Sequence, residues 1–345
     1  MTPVVRKPRR LARGDTVAVV SPSWGGPAAF PHVLEAGLRV LREELGLRVR
    51  EYPHTRAAAA SPAERAADLH AAFADPDTRA VIASIGGVDS VRLLPLLDPS
   101  VFRADDKILL GYSDTTTLLT YVHVHTGLVT FLGPSVMAGL GQARALPPAF
   151  AEHVRAMLFD APASHRYQPY AAYCEGYLPW SDPANAGQVA PLRPHPGWRW
   201  VQGRGVVRGR LFGGCADTLE SVKGTRFWPE PSFWAGRVLV LETSEEAPPP
   251  RTVARWLRNY GVSGVFDVAA GLLLGRPRGY TDAQRVELAD AARAIVAGEF
   301  GRTELPIVAD LDFGHTDPQW ILPFGCELEI DCDARTLTLL EPPTR

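Results

Sequence analysis

Residues 108–119 read ILLGYSDTTTLL. Three aliphatics run into Gly-Tyr-Ser-Asp, and the continuation TTTLLTYVHVHTG has helical character and a glycine stop. A buried strand that turns directly into a helix is the repeating unit of a parallel α/β sheet. The alternation extends to both sides. Upstream, TVAVVSPS (16–23) is a β-branched run closed by Ser and Pro, and Leu34, Leu38, Leu41 and Leu45 recur at helical spacing before Gly46. LRVREYP (47–53) is expected as a second strand. SPAERAADLHAAFAD (61–75) is expected as a helix, opened by the capping box of Ser61 and Glu64. RAVIASIGG (79–87) is a buried strand ending in two glycines, and LVTFLGP is a further strand.

Residues 1–160 therefore predict an N-terminal parallel-sheet (Rossmann-like) α/β domain. From 161 to 200 the periodicity stops, and Pro, Gly, Tyr and Trp dominate. Disordered segments are poor in aromatics, so this stretch is expected as an ordered crossover contributing to a binding surface. Alternation resumes over 201–345 with VVRGRLFGG, CADTLESVKG, RVLVLE (237–242), PPPRTVARWLRNYG and VAAGLLLGRP. TDAQRVELADAARAIVAGEFG (281–301) is expected as one long helix capped by Thr281. PIVADLDFGHTD (306–317) and ELEIDCDARTLTLLE (327–341) close the chain as strands. The C-terminal domain is thus also α/β, with a β-rich end.

The chain has 345 residues, 46% of them hydrophobic and 21% charged, with a formal net charge of -2. No basic block points to nucleic acid. No apolar run reaches 18 residues, so no membrane span is expected. The basic opening MTPVVRKPRRLARGD lacks the apolar core of a secretory signal, and a cytoplasmic location is expected. Cys174, Cys215, Cys326 and Cys332 have no CxxC spacing and are expected as reduced, mostly buried thiols.

A strand-to-helix turn lifts a side chain clear of the sheet and aims helix N–H groups at the same point. Ser113 sits at such a turn, although Thr115 stands where the second glycine of G-x-S-x-G would be. On local sequence alone Ser113 reads first as a helix cap, since Ser and Asp before a helix are most often N-caps. As a nucleophile it needs a base and a group that orients the base. Among the nine histidines, His315 in FGHTDP directly follows an apolar strand, at the carboxyl edge where Ser113 also lies. His123 and His125, two apart, share no helix face and make a poor metal pair. His32, His54, His70, His153, His165 and His195 are expected to be solvated. Glu242 ends RVLVLE, whereas Glu245 and Glu246 lie in a polar turn and are expected to be solvated. Gly86 and Gly87 in IGGVDS permit close approach to a ligand. The N–H of Gly87 or Val88, with that of Asp114, is the expected oxyanion hole. Ser23-Trp24-Gly25-Gly26 matches no phosphate-loop pattern and is expected as a turn.

IGGVDSVRLLP, LLGYSDTTTLL, FGGCADTLESVKGT, VLVLETSE and FGHTDPQWILPFG occur in that order. The ordered set resembles the LD-carboxypeptidase and microcin C immunity-protein family of serine peptidases, over nearly the whole chain. The resemblance implies a triad of Ser113, Glu242 and His315, a cleft between two domains, homodimers, and no metal or organic cofactor. GWRWVQGRGVVRGRLFGGCADTLESVKGTRFWP (197–229) is more similar to the immunity branch. Cys215 stands where the carboxypeptidase branch carries Asn after two glycines, and Val88 departs from both branches. Immunity-branch substrates are aminoacyl or peptidyl amides of a nucleotide-like phosphoramidate or sulfamate. Trp180 in LPWSDP resembles an aromatic that stacks on the base, and reads otherwise as an anchor for its loop. Cys215 is carried as a substrate-side residue, and otherwise as a packing thiol. Two other functions stay open: a murein tetrapeptide LD-carboxypeptidase, and a non-catalytic protein that sequesters a ligand in its cleft.

Overall fold

The computed structural model describes residues 4–345 as two α/β domains meeting along a cleft. The first sheet contains β1 (Thr16–Val20), β2 (Arg48–Glu51), β3 (Thr78–Ala83), β4 (Ile108–Gly111) and β5 (Thr130–Leu132). Its order is Leu322–Phe324, β5, β4, β3, β1, β2. β1 to β5 are mutually parallel, and Leu322–Phe324 runs antiparallel to β5. β4 is buried along its whole length, as a strand covered by helices on both faces must be. Chain order reverses at β1: β2 lies on one side, β3 to β5 on the other. Ligand crevices in such sheets open at the carboxyl ends of the strands flanking that reversal. Here Ser21–Trp24 follows β1, Ser84–Val88 follows β3, and Tyr112-Ser113 follows β4.

The helices begin where the capping signals put them. Ser61 Oγ accepts from the Glu64 N–H at 3.3 Å, and the Glu64 carboxylate accepts from the Ser61 N–H at 2.8 Å. Thr281 and Gln284 form the same box. The expected long helix after Thr281 is Asp282–Arg293, followed by a π turn over Ala294–Glu299.

The second sheet has eight strands, and four successive ones, Val206–Cys215, Arg237–Glu242, Gly271–Gly275 and Ile307–Leu311, are parallel. The β-rich end is the hairpin Glu327–Asp331 with Thr336–Leu339. Two strands sit across the division read from the sequence. Leu322–Phe324 completes the first sheet, and Arg199–Gln202 edges the second by pairing with Ile307–Leu311.

The crossover is ordered, as its aromatic content predicts. Ala172–Glu175 pairs with Arg193–Pro194 and with Thr316–Asp317, just past His315. Trp198 Nε1 donates to Asp312 Oδ2 at 2.9 Å, and the wholly buried Asp312 also pairs with Arg276. His195 belongs to this cluster, its Nε2 3.1 Å from Asp312 Oδ1, so it is buried rather than solvated. His153 is likewise buried: its Nε2 accepts from the Ile321 N–H at 2.8 Å, and desolvation drives its pKa down to about 3. Neither burial is visible in a local sequence window, because both partners lie more than 100 residues away. No helix among the described residues is long and apolar enough to cross a membrane.

Candidate active site

Ser113 has φ +58, a left-handed conformation that a non-glycine residue adopts only at a cost. The turn over Ser113–Thr115 links β4 to the helix Thr116–Thr126. Two bonds fix it. Asp114 Oδ2 accepts from Ser23 Oγ at 2.5 Å and from the Ser90 N–H at 2.8 Å, and Ser90 Oγ donates to the Asp114 carbonyl at 2.7 Å. The Asp114 carboxylate thus ties together the three loops that follow β1, β3 and β4. Its backbone N–H has no partner within the chain among the described residues, and neither has that of Gly87.

Gly86 packs against the serine. A Cβ built there would lie 2.9 Å from Ser113 Cβ and 3.0 Å from Oγ, so only glycine fits. Gly86 and Gly87 line the chamber that holds Ser113 and His315, whereas Val88 does not. Val88 is 88% exposed at the rim.

His315 Nδ1 lies 2.7 Å from Glu242 Oε2, and both side chains are buried. Burial lowers the imidazole pKa, but the charge and hydrogen bond of Glu242 outweigh it, and the net shift is upward. Space for the pair comes from Gly314, where a Cβ would stand 2.7 Å from the Glu242 carboxylate. On its other face, His315 rests against the Tyr112 ring at 4.9 Å between centroids. The Tyr112 and Tyr177 hydroxyls are 2.7 Å apart. Burial first, then the charge of nearby Asp317, pushes both phenols above their ordinary range and keeps them protonated. Burial likewise raises the Asp317 carboxyl.

Ser113 and His315 share a chamber of about 330 Å³ whose aromatic wall is Trp24, Tyr112, Tyr177 and Trp180. Trp180 packs edge-on to Phe30 at 5.7 Å and beside Tyr177 at 5.4 Å, and its carbonyl is 2.7 Å from His32 Nε2. A second chamber of about 490 Å³ adjoins Ser113 and contains Asp217, Glu245, Glu246 and Trp256. A third, of about 550 Å³, opens at the sheet reversal between Trp24, His54, Arg65 and Asp89. Glu245 borders all three and is exposed, as is Glu246.

Cys215 is not brought to the cleft surface. It is fully buried, and its N–H donates to Thr116 Oγ1 at 3.0 Å, joining the second domain to the helix behind Ser113. It also lies opposite Glu242 in register. Burial, then Glu242 and Asp217, push its thiol well above the usual range, so it is a neutral packing group. Tyr112, Tyr177 and the Asp114 carboxylate join the site without a motif of their own, and Trp24, expected only in a turn, lines the chamber. Tyr112 and Asp114 flank Ser113 in GYSD, and Tyr177 precedes Trp180 by three, so adjacency was the available signal. Among the described residues, no group of three or more His, Cys, Asp or Glu could hold a metal ion.

A hydroxyl in a strained turn, two free amides and an imidazole oriented by a buried carboxylate are the parts needed for acyl transfer. Residues 17–133 match the LD-carboxypeptidase N-terminal domain and residues 208–330 the LD-carboxypeptidase C-terminal domain. The chain belongs to this family of serine peptidases. It is 30% identical to the microcin C7 self-immunity protein MccF of Escherichia coli, over 81% of this chain and 78% of that protein. It is also 30% identical to the murein tetrapeptide carboxypeptidase of Pseudomonas aeruginosa, over 90% and 91% of the two chains. The solved structure of MccF with aspartyl sulfamoyl adenosine superposes with a TM-score of 0.86 at 26% identity, covering 99% of this chain and all of that one.

Proposed function

We propose that the protein is a Ser–Glu–His amidase that releases an aminoacyl or peptidyl group from a nucleotide-like phosphoramidate or sulfamate, an immunity or detoxification activity. The observation that carries this is the buried Glu242–His315 pair, 2.7 Å between Oε2 and Nδ1, with His315 bordering the same aromatic-walled chamber as Ser113. Ser113 Oγ attacks the acyl carbonyl while His315 Nε2 takes its proton. Glu242 accepts from Nδ1–H, which fixes the tautomer and stabilises the imidazolium. The Gly87 and Asp114 amides receive the oxyanion. His315 then protonates the leaving nitrogen, and water releases the acyl group by the reverse sequence. Trp180 stacks on the base, on the wall that it shares with Trp24 and Tyr177. The aminoacyl-sulfamoyl nucleotide bound by the similar MccF supports this leaving group.

The division at residues 160 and 200, homodimer formation and a cytoplasmic location belong to the same proposal. Light scattering on the purified protein tests the dimer.

Incubation with an aminoacyl-sulfamoyl adenosine and with a murein tetrapeptide, followed by mass spectrometry, tests the substrate. The nucleotide is expected to be cleaved, and Ser113→Ala to lower its turnover by roughly 10,000-fold or more. Cleavage of the tetrapeptide alone would assign the chain to murein recycling. A Ser113→Ala protein that still protected cells fully would show sequestration instead of catalysis.

A further inference from the structure

The chamber of about 490 Å³ beside Ser113 has its own chemical character. Ser113 and Asp114 form part of its boundary, so it belongs to the cleft where an acyl group would lie. Facing them are the carboxylates of Asp217, Glu245 and Glu246 and the indole of Trp256, and no lysine or arginine lines the chamber.

The charges are only partly compensated. Arg278 Nη1 reaches Glu245 at 3.2 Å from outside. Asp217 is held by neutral donors, the Ser244 N–H at 3.1 Å and Oγ at 2.9 Å, which orient the carboxylate and leave its charge in place. Glu246 forms no ion pair among the described residues. The chain's lysines are committed elsewhere: Lys7 to Glu341, Lys107 to Asp105 and Lys223 to Glu220. No cation sits over the Trp256 ring among the described residues. A concave site with two uncompensated carboxylates raises the local concentration of cations and repels anions. An indole face adds cation–π attraction, strongest for a partly desolvated ammonium or guanidinium.

We propose that this chamber receives a positively charged part of the acyl group, so that cationic aminoacyl or peptidyl amides are preferred over acidic ones. The proposal rests on Ser113 as the nucleophile, since that defines the acyl side of the cleft.

Binding separates the two claims. Ser113→Ala protein is titrated calorimetrically with lysyl-, norleucyl- and glutamyl-sulfamoyl adenosine and with the Nα-acetylated lysyl compound, and the wild type is assayed for turnover of each. The lysyl compound is expected to bind at least tenfold more tightly than the glutamyl one. Adding Glu246→Lys should remove or invert that ratio. Equal lysyl and glutamyl affinities with a tenfold loss on Nα-acetylation would overturn the preference, since the cation bound would then be the α-ammonium that both compounds carry. Tighter glutamyl binding, equal affinities indifferent to acetylation, or no binding at all would overturn the proposal. A lysyl preference in Ser113→Ala without wild-type turnover would overturn the hydrolase assignment and leave the charge preference standing. Turnover of all compounds at equal efficiency would do the reverse.

Discussion

Ser113 is held at φ +58 by neighbours that have no freedom to follow it elsewhere. Gly86 presses on its Cβ, and Asp114 is fastened to two other loops. In the proposed mechanism the partner of this rigid serine is an imidazole whose pKa is raised by Glu242. The neutral base then accumulates only above the ordinary imidazole value of 6.5, so the acid limb of kcat/KM should have its midpoint above pH 6.5. Glu242→Gln should move that limb to lower pH and reduce the plateau by roughly 10,000-fold, as for other triads that lose their acid. A pH–rate profile of both proteins checks this, and an unmoved limb would mean that Glu242 does not set the base. Because the folded-state value is raised, this pair favours the folded state fully below pH 6.5. The contribution fades as pH rises through the folded value. Ser113, Glu242 and His315 could be picked out as candidates because each ends an apolar run; Ser113 follows a strand of the first sheet, Glu242 and His315 lie at strand ends of the second, and no local pattern says that the two sheets face each other there. Cys215 also ends an apolar run, but its side chain is turned inward beside Glu242, and no local pattern tells an inward from an outward strand end.

The crossover is the element where sequence periodicity was least informative. It is held by a buried ionic cluster and by short strands, neither of which leaves a period. Its aromatic content did predict order, and Trp180 does face the chamber of Ser113. Trp180→Ala should raise KM for nucleotide substrates by roughly 5- to 150-fold, matching the ~1–3 kcal/mol of base stacking, and leave small acyl amides nearly unchanged. Equal losses on both substrates would give the residue a structural role. The anchor of the element is Asp312, which binds Arg276 and Trp198 with no solvent exposure of its side chain. Asp312→Ala leaves the buried Arg276 charge without its carboxylate and should cost about 3–5 kcal/mol in urea unfolding. A shift of the midpoint at constant m-value is the expected result. The long helix after Thr281 shows a smaller limit: its cap was readable, but the switch to a π turn at Ala294 was not, since both conformations share the same apolar stripe.

At the scale of the molecule, the two sheets are fastened to one another at several points. The helix behind Ser113 packs on the strand that ends at Cys215, and Cys215 bonds to Thr116. The chain ends meet as well: the Arg10 N–H donates to the Arg345 carbonyl at 3.0 Å, and the Arg345 N–H to the Pro8 carbonyl at 2.8 Å. The alternation of strands and helices disclosed both sheets, but the exchange of a strand between them is a long-range pairing with no local signature.

That exchange bears on how the protein is made. Leu322–Phe324 covers the edge of β5, almost 200 residues after β5 itself has left the ribosome. Until then the nascent N-terminal half presents a row of unpaired peptide groups along β5, an invitation to pair with another chain. Completion of the first sheet must therefore wait until residues 322–324 have been made, and a fragment stopping short of residue 322 should be recovered mainly as aggregate.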